Sequence, residues 1–323
     1  MTKTKILSIL KKSKKYVSGE DLAKKAEVSR TAVWKHIEAL KRGGYRIEAK
    51  PKVGYRLIET PDILSPFEIG SGLKSKILGC KIFCFKEVTS TQEIAKKLAV
   101  QGCVEGTVVV AEKQTRGRGR IGREWVSPLG GVWLSIVLRP NLPPQYAQRI
   151  TLTTSVAVAK TVRRLYGLNA KIKWPNDVLV DGHKVCGILV EASGEADRIN
   201  YMVVGVGVNL NVDFSMVKPN LSKTATSISQ ILGRKVSRVE FIREFLFEME
   251  KAYITLTKNR FNQILAEWRK LSETLGCRVK VISQKEVFTG EALDVDEDGY
   301  LLVRLKNGTV KRVVSGDVSI RKE

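Results

Sequence analysis

The sequence predicts an α+β chain in three parts: a winged helix-turn-helix segment, a central mixed α/β domain and a small antiparallel barrel. Three observations carry this reading. The first 45 residues repeat apolar positions at helical spacing, the centre alternates one clear helical stripe with β-branched runs, and the end sets short strands between tight turns. The 323 residues, 43% of them hydrophobic, suffice for a sizeable core divided among two or three domains, and the composition excludes a disordered or fibrous chain. The parts are placed at residues 1–62, 66–274 and 275–323.

In the first part Ile6, Ile9 and Leu10 share one helical face. Ser18 is placed to cap a second helix through GEDLAKKA, and Ser29 a third, in which Val33, Ile37 and Leu40 face inward. That leaves Arg30, Thr31, Trp34, Lys35 and Glu38 on the opposite face, the pattern of a helix-turn-helix whose last helix enters a major groove by its first residues. After Gly43-Gly44, the alternations Tyr45, Ile47, Ala49 and Val53, Tyr55, Leu57 predict a two-stranded wing with Lys50 and Lys52 near its tip. A three-helix bundle with a solubilising charged face fits the same pattern. Charge decides between them. Lys and Arg number 56 against 33 Asp and Glu, a net charge of +23, and residues 1–60 alone carry 16 basic and 6 acidic side chains. So lopsided a segment is suited to nucleic acid, with Ser29, Arg30, Thr31, Trp34, Lys35, Lys50 and Lys52 as candidate DNA contacts. Glu59 to Pro66, with two prolines, reads as the linker.

In the centre, Thr89-Ser90-Thr91 is a hydroxyl-rich start for a helix from Thr91 to Val100, with Ile94, Ala95 and Leu98 inward. Thr107 to Ala111 is a strand that carries Gln114 to the mouth of GRGRIGREW, Gly117 to Trp125. Glycine allows close backbone approach there, and Arg118, Arg120 and Arg123 offer planar forks that match carboxylate and phosphate oxygens, as a mobile loop closing over anions requires. Asp181-Gly182 predicts a two-residue hairpin between Val178–Val180 and a strand from Lys184 to Val190, with His183 an exposed turn residue. Trp174-Pro175 reads as a rigid extended turn behind it. Gly187, Gly205 and Gly207 mark places where something approaches the strands closely. VVGVGVNLN continues as a strand, so its GxG is not a dinucleotide fingerprint.

Towards the end, RVKVI, YLLVRL and TVKRVV are separated by DEDG and KNG turns, the pattern of a small barrel. Asp294, Asp296, Asp298 and Gly299 imitate a calcium loop, but Leu305 stands at its twelfth position and a tight hairpin is the better reading. Five cysteines without a CxxC pair and only two histidines speak against a metal framework and for free thiols in a reducing compartment. The basic amino terminus has too short an apolar stretch for a signal sequence and nothing later approaches a membrane span, so a cytoplasmic location is expected.

EVTSTQEIA, GRGRIGREW, KIKWPNDVLVDGHKVCGILVE and VVGVGVNLN, in this order and spacing, resemble the biotin protein ligases. With the amino-terminal segment, the resemblance extends over nearly the whole chain to the bifunctional (BirA-type) ligases that also repress a biotin operon. It implies a class II synthetase-like central domain, an SH3-like carboxy-terminal barrel, and a reaction that makes biotinyl-5′-adenylate from biotin and Mg2+-ATP before transfer to a lysine of a biotin carboxyl carrier protein. It assigns Ser90, Thr91, Gln92, Gln114, Gly117, Arg118, Gly119, Arg120, Lys184, Gly187, Gly205 and Gly207 to biotin, asparagine being the usual residue at the position of Gln92. Nucleotide contacts fall on Arg118, Arg120, Arg123, Trp125 (against adenine), Lys184 and Asn209, and the metal-nucleotide region on Asp177. Lys184, Arg118 and Arg120 carry the catalytic charge. Operator DNA and a homodimer promoted by the adenylate are the further partners implied. A biotin-sensing regulator without ligase activity and a lipoate-protein ligase are the alternatives; the intact Arg118, Arg120 and Lys184 disfavour the first, the winged segment and GRGRIGREW the second.

Overall fold

Serine hydroxyls start the first helices where the sequence places them. In the computed structural model, which describes residues 2–195, 198–214, 224–283, 286–314 and 316–321, Ser18 Oγ accepts from Asp21 N at 3.0 Å and Ser29 Oγ from Ala32 N at 3.1 Å. These bonds begin α2 (Gly19–Ala26) and α3 (Arg30–Arg42), which pack on α1 (Thr2–Lys12). Val33, Ile37 and Leu40 are buried as predicted. In α1 the buried set is Ile6, Leu7 and Leu10, with Ile9 only partly covered, because adjacent residues 100° apart compete for the same stripe.

The wing pairs β1 (Arg46–Lys50) with β2 (Gly54–Glu59), and Val17 adds a bridge to Tyr55 with both backbone bonds at 2.9 Å. Gly54 permits this contact: at φ +130° a Cβ there would lie 2.1 Å from Val17 O. Val53 belongs to the exposed turn. Arg30, Thr31, Trp34, Lys35, Lys50 and Lys52 are all exposed.

This segment, up to Ile63, is one compact unit and the chain from Leu64 onward is a second, so the central domain and the last strands share one body. Its seven-stranded sheet has the order β3 (Lys81–Val88), β4 (Thr107–Gln114), β5 (Val132–Leu138), β9 (Ile199–Val208), β8 (His183–Gly194), β7 (Asp177–Val180), β6 (Lys171–Lys173). Only β3 and β4 run parallel. The two-residue turn at Asp181-Gly182 has positive φ at both positions and joins Val180 to His183 in register, so His183 opens β8 and is exposed.

Period-two alternation gives the sheet two unlike faces. Val108, Val110, Leu134, Ile136, Cys186, Ile188, Val204, Val206 and Val208 join the main core. They are covered by α6 (Ala147–Tyr166), which packs in turn on α8 (Arg238–Thr257) and α9 (Phe261–Leu271); the short α4 (Pro66–Gly70) also packs on α8, and α7 (Ile228–Leu232) is a further short helix. On the other face α5 (Thr91–Val100) covers Val109, Val137 and Val203 with Ala95 and Ala99, Ile94 and Leu98 being only partly buried.

The last five strands form an antiparallel sheet in the order β13 (Val310–Val313), β12 (Leu301–Arg304), β11 (Val287–Val295), β10 (Arg278–Ile282), β14 (Asp317–Arg321). DEDG is the β11–β12 hairpin. Its Gly299 O accepts from the buried Trp174 Nε1 at 3.1 Å, and its Asp298 pairs with Arg149 at 3.0 Å. Trp174 therefore fastens the sheet to the central domain; its peptide to Pro175 is cis, where an extended turn was expected.

Candidate active site

Beyond the end of α5, one face of the large sheet carries small residues in a row: Ser135 on β5, Gly205 and Gly207 on β9, and Gly187 on β8. Glycines and a serine where a core would need bulk leave a trough, and the loop from Gly117 to Trp125 forms its roof. Ser90, Thr91, Gln92, Gln114, Arg118, Gly119, Arg120, Arg123, Trp125, Asp177, Lys184, Gly187, Gly205 and Gly207 all line it. Segments as far apart as Ser90 and Gly207 meet there because β4, β5, β9 and β8 are neighbours, and Asp317 joins them from the last sheet.

Two expected members lie outside the lining. A Cβ at Gly117 would sit 2.2 Å from Trp125 O and 2.6 Å from Ser127 Oγ, so this glycine is required by the base of the loop. Asn209 instead spends its amide on the carbonyls of Lys184 (3.4 Å) and Thr226 (3.2 Å), pinning the start of β8. The loop itself is a formed hairpin: Trp125 N bonds Gly117 O at 2.9 Å and Gly119 N bonds Arg123 O at 2.7 Å.

What approaches the glycines is also visible. The Trp125 indole rests on Gly187 and Gly207, where added Cβ atoms would come within 2.8 and 2.5 Å of it, and it meets Trp133 edge-on at 6.4 Å. Gln92 Oε1 fills the space over Gly205, 2.6 Å from an added Cβ.

Each cation of the site has a partner of its own. Lys184 Nζ is 2.6 Å from Asp177 Oδ1 and 5.0 Å from the centre of the Trp125 ring. Arg118 lies 3.8 Å from Glu191, a carboxylate held more closely by Lys96 at 2.7 Å. Arg123 pairs with Asp317 at the start of β14, joining the roof to the last sheet. Arg120 donates to the neutral Asn176 Oδ1 at 3.3 Å, and burial lowers its pKa against the opposing pull of Asp317 and Asp177.

The chain matches known proteins along most of its length. A biotin/lipoate A/B protein ligase family model matches residues 83–209, an HTH domain model residues 2–56, and a biotin protein ligase C terminal domain model residues 274–321. The bifunctional ligase/repressor BirA of Bacillus subtilis (strain 168) is 39% identical over 306 residues, covering 94% of both chains. This chain belongs to the biotin protein ligase family. The corresponding Escherichia coli (strain K12) protein is 29% identical over 306 residues, covering 94% of this chain and 92% of its own. Among solved structures, the biotin protein ligase of Aquifex aeolicus in complex with biotin and ATP superimposes with a TM-score of 0.65 at 28% identity, covering 76% of this chain and all of that one.

Family membership does not by itself say which residues build the trough here. Sequence reasoning placed Asn176 in the segment behind the site, where it lines the trough, and missed Ser135, Ser127 and Asp317, which line it or its roof. Ser135 carried a readable signal, a lone hydroxyl in the apolar run VWLSIVL. Asp317 carried none, since nothing local relates β14 to the loop. Among the described residues no group of three or more His, Cys, Asp or Glu is arranged to hold a metal, and no helix is long and apolar enough to cross a membrane.

Proposed function

We propose that this protein is a biotin protein ligase and biotin-responsive repressor. The carboxylate of biotin attacks the α-phosphorus of ATP, pyrophosphate leaves, and the amine of a carrier-protein lysine then attacks the acyl carbonyl, releasing AMP and a proton. The observation that carries this reading is the convergence of Arg118, Arg120, Arg123 and Lys184 on one trough with a polar floor. Two unit negative charges about 4 Å apart repel by about 4 kcal/mol at the effective dielectric of a protein surface, so a carboxylate and a phosphate meet only where cations offset that cost. The partly buried Arg120 and the hairpin-held Lys184 supply that offset, and Trp125 with the closed roof keeps water from the anhydride.

Asp177, a carboxylate on the wall that rests paired with Lys184, is the residue that would hold magnesium, which is usually bound by one or two carboxylates plus substrate phosphates. The ion would neutralise phosphate charge. The exposed basic face of α3 and the wing is read as the operator surface, and a homodimer presenting two such faces to a two-fold operator fits a repressor. A cytoplasmic setting follows from these partners.

Mass spectrometry after incubation with biotin, ATP and a purified biotin carboxyl carrier domain tests the enzyme. A biotin-sized adduct on one carrier lysine is expected. No adduct, with operator DNA still bound in a biotin-dependent way, would leave a regulator without ligase activity. Transfer of lipoate in place of biotin would move the protein to the sister activity.

A further inference from the structure

The cleft between α3 and the wing is lined by three cations, Arg30, Lys50 and Lys52, against one carboxylate, Glu20. Among the described residues none of the three cations has an ion-pair partner, and two neighbouring acids are already held, Glu38 by Lys41 at 2.9 Å and Glu48 by Arg56 at 2.8 Å. Positive charge left open along one cleft suits a polyanion.

Inside that rim the surface is apolar. Trp34 of α3 is 55% exposed and Val53 of the wing turn 42%, and both line the same cleft. The Trp34 indole has no ring, cation or hydrogen-bond partner among the described residues. A lone exposed side chain needs no explanation, but two that line one cleft within a ring of unpaired cations make a mixed surface, and duplex DNA is the polyanion that sets apolar groups beside its phosphates. Arg30, Thr31 and Trp34 lie on one side of the first turns of α3, the part of a recognition helix that reaches base edges. In the major groove the apolar group that tells one base edge from another is the 5-methyl of thymine. Val53, on the wing, belongs to the backbone side, where sugars offer apolar surface without sequence information.

We propose that Trp34 is a specificity-determining residue that reads thymine through its 5-methyl group, while Arg30, Lys50 and Lys52 hold phosphates beside it. The proposal rests on the reading of this face as the operator surface and deepens it by naming the base feature recognised. Cytosine in the same place would turn its N4 amino group onto the indole and leave it without an acceptor, so the contact selects against cytosine as well.

The test uses the full-length protein with biotin and ATP. Duplexes that it enriches from a random pool supply the probe, and each thymine in turn is replaced by deoxyuridine, which keeps the base pair and removes only the methyl. Wild-type protein should bind about fourfold more weakly for each buried methyl lost, at about one or two positions per half-site and not elsewhere. Trp34→Ala should bind thymine and uracil duplexes equally at those positions and keep the log–log salt slope, since no phosphate contact is removed; Trp34→Phe should retain part of the difference. Equal binding of every uracil-substituted duplex by wild type overturns the proposal and needs no variant. So does a uracil penalty that persists in a folded Trp34→Ala protein. Failure to enrich any duplex would instead sink the operator reading, so the two failures are distinct.

Discussion

Lys184 pairs with Asp177 at 2.6 Å, yet the same ammonium is on the wall where two substrate anions must meet. Replacing Lys184 with Ala should lower biotin-dependent pyrophosphate exchange by about 10²–10³-fold, the usual cost of losing one preorganised charge at a transition state, and Arg118→Gly should lower it too. Unchanged exchange in both variants would remove the site assignment. A second prediction concerns stability. Tyr253 OH donates to Glu105 Oε1 at 2.6 Å on the core side, and burial first, then Glu105, raises its pKa. A raised pKa in the folded state means the contribution is present below the ordinary tyrosine value near 10 and is lost as pH climbs beyond it. Tyr253→Phe should cost about 1–2 kcal/mol in urea unfolding at neutral pH and flatten the alkaline loss of stability. At this scale the charged residues were legible and their resting partners were not. Arg118, Arg123 and Lys184 stand out in any string of letters, but the identities of Glu191, Asp317 and Asp177 as their counter-ions depend on which strands lie side by side.

The loop from Gly117 to Trp125 shows what an element adds. Its composition reads as mobile, and its backbone closes into a hairpin because Gly117 tolerates the returning Trp125 carbonyl and Ile121 and Gly122 turn with positive φ. The indole then has a seat only because Gly187 and Gly207 lack side chains. Gly207→Val should push it off, so that tryptophan emission shifts to longer wavelength, and the shift should be absent when Trp125 is also changed to Phe. Emission that does not move would show that the indole does not rest there in solution. The glycines on β8 and β9 were recognised from their unusual place inside strands. What would approach them was not, because a strand pattern says that space exists without saying what fills it.

The whole molecule divides at Ile63 and Leu64 into two compact units, so damage to the first should spare the second. Gly54→Ala, which sets a Cβ against Val17 O, should abolish operator binding while pyrophosphate exchange stays within about twofold, as expected for sites without shared partners. Loss of both functions together would argue that the units do not act separately. Operator affinity should fall with salt with a log–log slope of roughly −3.5 for each bound segment if Arg30, Lys35, Lys50 and Lys52 all meet phosphates, and Lys52→Ala should reduce it by about 1. A flat salt response would remove the nucleic-acid reading. The sequence alone determined the α3 face with its caps, the Asp181-Gly182 turn, three of the five strands of the last sheet, and the set of cations from which an adenylate site can be made. Those features depend on residues within a few positions of one another, where helical or strand period and turn chemistry dominate. Only the tertiary structure decided that Ser135 joins Thr91 and Gln92, that Trp174 ties the last sheet to the centre, and that Trp125 sits on two glycines. Each depends on the order β4-β5-β9-β8 or on packing between the sheets, which is set by burial summed over the whole core and leaves no mark on any short stretch of chain.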